Sequence, residues 1–113
     1  MTMIDVTRFD DAKAYDAKGH FGMTAMRLQG QGVTGLEDYW VGFSTFLPGG
    51  GADKAAAPTG KVYVVLEGEI TVTTAEGDTV IGKYDSCYIP PNTERSIVNA
   101  TNHAVQMLVI SPN

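Results

Sequence analysis

Four side chains in this sequence could do chemistry together: Lys61, Tyr63, Arg95 and His20. Side chains alternate across an extended strand, so within Lys61–Leu66 the residues Lys61, Tyr63 and Val65 share one face. In the same way Arg95, Ile97 and Asn99 share a face of a second strand. A guanidinium offers planar, permanently charged donors matched to a carboxylate or an enolate oxygen. A lysine that is desolvated near another cation has its pKa pushed down and becomes a general base, a proton donor or a Schiff-base nucleophile. A tyrosine hydroxyl between them can orient a substrate or relay a proton. His20 lies in Lys18-Gly-His-Phe-Gly22, where the glycines let the backbone turn sharply. It either caps a cavity as an acid or base or is a hydrogen-bonded structural residue. The alternative for Lys61 and Arg95 is equally plain: their tips reach water or pair with Glu67, Asp85 or Glu94.

The remaining reactive residues carry less. Cys87 is the only cysteine and sits in a β-run beside Tyr88, which reads as core; no basic partner stands near it in sequence. His103 follows a turn at Thr101-Asn102 and reads as solvated, and the five methionines read as packing. Asn99-Ala-Thr101 has the form of a glycosylation sequon, which carries no weight without an export signal.

The elements that must position these groups are strands. Thirteen glycines and five prolines punctuate short β-branched and aromatic runs along 113 residues. The runs predict strands over Met23–Leu28, Tyr39–Leu47, Lys61–Leu66, Glu69–Thr74, Thr79–Ile81, Asp85–Ile89, Arg95–Asn99 and His103–Ile110. Glu67-Gly68 predicts a turn that folds Glu69–Thr74 back on Lys61–Leu66 as a hairpin. Pro90-Pro91-Asn92-Thr93 predicts a tight turn, and Asp10–Ala17 is open between a short helix and an irregular edge. Many short strands in one small domain indicate a barrel or a two-sheet sandwich.

Two stretches make that architecture specific. Residues 49–68 (Gly-Gly-Gly-Ala-Asp-Lys-Ala-Ala-Ala-Pro-Thr-Gly-Lys-Val-Tyr-Val-Val-Leu-Glu-Gly) and 84–99 (Tyr-Asp-Ser-Cys-Tyr-Ile-Pro-Pro-Asn-Thr-Glu-Arg-Ser-Ile-Val-Asn) resemble the two signature motifs of the cupin superfamily. Gly49 and Gly68 fit the ends of the first motif, and Pro90 and Asn99 fit the second. Tyr84 and Asn92 stand where the second motif has glycines. The resemblance covers roughly residues 38–111. It implies an all-β, single-domain cupin-type barrel over 38–113, with 1–37 as an N-terminal segment packing on it. Apolar residues fall on both faces of Val62–Leu66 and only one can fill the barrel, so the other needs cover from a second sheet or a partner subunit; the resemblance implies a homodimer.

The four positions that bind metal in that family fall on Ala55, Ala57, Lys61 and Arg95. Methyl groups donate nothing and two cations repel a divalent ion, so no metal and no cofactor are expected. Those positions point into the barrel in the family. The resemblance therefore implies that Lys61, Tyr63 and Arg95 converge on a cavity, walled by residues such as Phe43, Phe46, Trp40 or Met107. The expected activity is a metal-independent isomerase, lyase or hydrolase acting on a small anionic carbonyl compound. A binder without turnover, or an interaction protein with a vestigial cavity, are the alternatives. A net charge of −5 with eight scattered basic residues excludes the footprint of a nucleic-acid binder. The absence of a long apolar run or a secretory core, together with the lone cysteine, predicts a cytoplasmic protein without membrane partners.

Overall fold

The structure is a computed structural model that describes residues 3–113, so the first two residues of the 1–37 segment lie outside the described residues. A single 3-10 turn, Phe9–Asp11, precedes nine strands: β1 Lys13–Tyr15, β2 His20–Gln29, β3 Tyr39–Ala55, β4 Lys61–Glu67, β5 Ile70–Thr74, β6 Gly77–Ile81, β7 Ser86–Ile89, β8 Arg95–Val98 and β9 Val105–Pro112. They run in the order β6-β5-β8-β3-β9-β4-β7, with β2 on the free side of β3 and β1 on β2. Among the described residues no helix is long and apolar enough to cross a membrane.

β3 is the hinge of the architecture. Tyr39–Phe46 pairs with β9, whereas Gly51–Ala55 pairs with β8, so one strand passes from one leaf of the barrel to the other. Proline and three glycines at 48–51 predict a stop there, yet the strand runs on to Ala55. Pro48 is exposed and Gly49 takes φ +81°, so this stretch serves as the corner. A methyl on Gly50 would meet the Gly22 carbonyl oxygen at 2.1 Å, and one on Gly51 the Ile97 carbonyl oxygen at 2.1 Å. Backbone approaches this close admit no side chain.

The hairpin expected across Glu67-Gly68 does not form. β4 pairs with β7 and β9, and β5 pairs with β6 and β8, so the turn is a crossover between leaves. Gly68, at φ +82°, makes that crossover against Val105. Asn92 takes φ +61° in the turn after Pro90-Pro91, and Tyr84 takes φ +69°, at the position where the resembled motif carries glycine. The Asp10–Ala17 stretch becomes the 3-10 turn and β1.

The interior is filled by alternate residues of each strand. Val105, Met107, Val109 and Ser111 are buried along β9 while their neighbours face outward. Phe46, Tyr63, Val65, Ile70, Val72, Ile89 and Ile97 complete the core from the strands around it. At the start of the loop after β8, fully buried Asn99 donates through Nδ2 to the carbonyls of Phe46 and His103. Its Oδ1 accepts from the Thr101 amide and hydroxyl. The sequon asparagine is thus a structural clamp.

Candidate functional site

One end of the barrel is not filled. A cavity of about 110 Å³ remains there, walled below by Phe46, Ile97, Met107 and Val109. Trp40 and Ser44 of β3, Lys61 and Tyr63 of β4, and Arg95 of β8 line its sides; Tyr15, Ala17, His20 and Met23 close it from the N-terminal segment. The four residues singled out by type and spacing therefore line one space. Of the expected walls, Trp40, Phe46 and Met107 are there. Phe43 is not: its ring packs edge-on against Phe9 at 5.0 Å. It alternates with Gly42 and Ser44, so it faces the other side of the strand.

Register explains the convergence. Trp40 of β3 pairs with Ser111 of β9, and the β4–β9 register (Val62 with Ile110) sets Lys61 beside Ser111 on the other side. The Lys61 ammonium lies 3.5 Å from the Ser111 hydroxyl and 5.4 Å from the Trp40 ring centre. Ser111 is 1% exposed and donates to the Gly60 carbonyl at 3.2 Å, which leaves its lone pairs toward Lys61. Across the cavity, Ala55 pairs with Arg95, and the Arg95 Nη1 donates to the Ala55 carbonyl at 2.8 Å. Arg95 Nε donates to the Tyr63 hydroxyl at 3.4 Å. Tyr63 itself is 3% exposed, so its phenol is held in the cavity wall.

The electrostatics follow from this packing. Burial, and then the Arg95 guanidinium, hold the Lys61 ammonium below the ordinary lysine range. Among the described residues neither Lys61 nor Arg95 has a carboxylate within 4.0 Å; the ion pairs are Lys54–Glu94 and Lys83–Glu67, both exposed. The carboxylates that could have neutralised the site are thus engaged elsewhere or turned away. His20 is half-buried at the rim, with Nδ1 2.9 Å from the Lys18 carbonyl. A carbonyl only accepts, so Nδ1 is the donor in this contact and Nε2 is the ring nitrogen left outside it. Burial pushes the Cys87 thiol up, against a smaller downward pull from the Tyr63 backbone, and Cys87 packs against the core.

A metal does not fit. Ala55, Ala57, Lys61 and Arg95 supply no donor set, and no three His, Cys, Asp or Glu side chains group together among the described residues.

Sequence reasoning missed Tyr15, Ser44 and Ser111. Ser111 could have been found by alternation from Val105, but Tyr15 reaches the cavity only because β1 folds back on β2, pairing Tyr15 with Ala25.

A small, single-domain β-barrel with a partly closed, cationic interior is the class that this architecture defines. The chain belongs to the Cupin domain family, whose model matches residues 42–111. It is 40% identical over 104 residues to a Mycobacterium tuberculosis protein named beta-D-galactosidase Rv1717, covering 92% of this chain and 90% of that one. The polyketide cyclase RemF from Streptomyces resistomycificus superposes with a TM-score of 0.86 at 18% identity, over 97% of this chain and 80% of that one. A cupin 2 conserved barrel domain protein from Salinispora arenicola superposes with a TM-score of 0.80 at 15% identity, over 99% and 91%. At those identities the two structures establish the fold.

Proposed function

We propose that the barrel cavity binds a small anion bearing a carbonyl group, and that the chain is a metal-independent enzyme acting on it. The observation that carries this reading is the presence of Lys61 and Arg95 in one cavity with no acidic residue in its lining. Two uncompensated cations in a partly desolvated space favour an anionic guest. Arg95 anchors the carboxylate, and Tyr63, held by Arg95, orients the carbonyl oxygen. Lys61 attracts the anion as an ammonium, and in the free-amine fraction that its lowered pKa enlarges it removes a proton next to the carbonyl or adds to it as an amine. His20 at the rim supplies the complementary acid or base through Nε2. At about 30 Å³ for one water, 110 Å³ holds roughly four waters' worth of ligand, which suits a compound of a few heavy atoms.

The name of the Mycobacterium tuberculosis relative supports the hydrolase branch and galactosides as substrates. Glycoside hydrolysis in its usual form takes two carboxylates flanking the bond, and this lining has none, so the carbonyl reading is preferred.

The test uses pyruvate in heavy water, with proton exchange at its methyl group followed by NMR and borohydride added in parallel. Exchange accelerated by the wild type and lost in Lys61→Met supports the base role; a reduced adduct on Lys61 supports the amine role. Exchange unaffected by Lys61→Met sinks both. Cleavage of p-nitrophenyl β-galactoside that survives Lys61→Met and Arg95→Gln would favour the hydrolase branch instead.

The reading extends to assembly as a homodimer. Tyr39, Val62, Tyr88 and Ile110 line an open apolar groove of about 450 Å³ on the outer face of the β3-β9-β4-β7 leaf. Val62→Asp should then halve the mass measured by light scattering; an unchanged mass would place the interface elsewhere.

A further inference from the structure

Tyr15 lies outside the span that matches the family, yet it lines the cavity. Its placement is built by several groups at once. The Arg27 guanidinium stacks on the Tyr15 ring at 3.8 Å and lies 5.0 Å from the Trp40 ring centre. The Tyr15 and Trp40 rings meet edge to face at 6.4 Å. Beneath them Gly42 leaves a notch: a methyl there would come within 3.0 Å of the Tyr15 hydroxyl and 3.1 Å of the Trp40 ring. The ring is thus clamped on one face and its hydroxyl rests in a slot that needs glycine.

That hydroxyl has no work inside the protein. Among the described residues it makes no hydrogen bond, although every side-chain hydroxyl sealed from solvent is partnered. It is therefore not sealed from solvent, on a residue that lines the cavity. Burial raises the Tyr15 pKa, against a smaller opposing pull from Arg27, so the phenol keeps its proton and remains a donor.

We propose that Tyr15 is a ligand-contacting residue, whose hydroxyl donates a hydrogen bond to the anion held by Lys61 and Arg95. The proposal rests on the anion reading of the cavity and adds a donor from a different part of the chain. The N-terminal segment is then part of the site: it brings a neutral donor where the barrel proper brings two cations. A neutral donor added to two cations in one cavity favours a ligand that carries a further acceptor oxygen besides its carboxylate, such as a 2-oxo acid, over a simple monocarboxylate.

Trp40 is the only tryptophan and lines the cavity, so its fluorescence reports occupancy directly. Pyruvate and acetate are titrated into the full chain, its Tyr15→Phe and Gly42→Ala variants, and Arg95→Gln. Tyr15→Phe keeps the ring, the Arg27 stack and the fold while deleting only the donor. It should weaken pyruvate about fivefold, as expected for one hydrogen bond of about 1 kcal/mol to a neutral carbonyl oxygen, and acetate by much less. Gly42→Ala, which displaces the hydroxyl without removing it, should weaken pyruvate in the same direction. If Arg95→Gln weakens pyruvate and Tyr15→Phe does not, the Tyr15 role is overturned while the anion site stands. If neither anion changes Trp40 emission in the wild type, or Arg95→Gln binds as tightly, the anion reading falls and the Tyr15 proposal with it.

Discussion

Lys61→Met should make the protein more stable at neutral pH. The wild-type ammonium is half-buried, faces Arg95 and has no carboxylate within 4.0 Å among the described residues. Its favourable contacts are modest. One is the Trp40 face at 5.4 Å, worth about 0.5–1 kcal/mol. The other is a contact to the Ser111 hydroxyl at 3.5 Å, the long limit of a hydrogen bond and worth less than the usual ~1 kcal/mol. Methionine keeps an unbranched stem against Trp40 and removes both the desolvated charge and the repulsion. Allowing for the screening of a half-exposed group, the net gain is about 1 kcal/mol, or roughly 4 °C in Tm for a domain of this size. The pH dependence gives a sharper check. Lys61 is depressed in the folded state relative to its ordinary value of 10.5. Below both values it is charged in both states and the penalty is full. Between them the unfolded chain holds the proton that the folded chain has lost, so wild-type stability rises with pH. The advantage of Lys61→Met should therefore be full at pH 7 and shrink as pH climbs toward 10.5. Chemical denaturation at pH 7 and 10 measures it. A variant less stable than wild type at pH 7, or a gap that widens with pH, would show that Lys61 is favourably paired and refute the argument.

Other consequences are simpler to read. Tyr84→Gly should stabilise by about 0.5–1 kcal/mol: φ +69° strains any residue with a Cβ, and a side chain 74% exposed gives up little packing. A lower Tm for this variant would mean that the ring packs in solution. Asn99→Ala should cost about 3 kcal/mol, because it strands the Phe46 carbonyl and the Thr101 amide and leaves the Thr101 hydroxyl alone to hold the His103 carbonyl, and urea denaturation would show it. A loss under 1 kcal/mol would mean that water replaces the clamp.

The legible parts of the fold were those written in local chemistry. Alternation located the strands, and the spacing from Gly49 to Gly68 and from Pro90 to Asn99 located the family frame. What stayed hidden depends on which strand lies beside which. Glu67-Gly68 looks like a hairpin turn because both flanks alternate; only the pairing of β4 with β9 and of β5 with β8 makes it a crossover. Phe43 and Trp40 are indistinguishable by type, and the parity of β3 decides which faces inward. Tyr15 was hidden for the same reason, since three residues of β1 carry no periodic signal until β2 fixes them.

Two of the four positions that would hold a metal in the family, Lys61 and Arg95, converge on the cavity while their chemistry has changed sign. Convergence belongs to the barrel: Arg95 is brought to Ala55 by the β3–β8 register, and Lys61 to Trp40 by the row through Ser111. These constraints are backbone constraints and hold whatever side chain sits there. Two cations enter the cavity while Ala55 and Ala57 lie outside its lining, so the scaffold presents fixed positive charge where it would have bound positive charge. A metal polarises a carbonyl as a Lewis acid; in the function proposed above, Tyr63 held by Arg95 would take that place and Lys61 would provide the nearby base. Such a site works only if its cations are not quenched from within, and Glu94 and Glu67 are drawn off by Lys54 and Lys83 on the surface. Charge reversal should expose this: Ser44→Asp, adding a carboxylate to the buried wall, should bind the Lys61–Arg95 pair internally and abolish pyruvate binding while leaving the fold intact by circular dichroism. Retained pyruvate affinity in that variant would show that the guest does not depend on the free charge of the two cations.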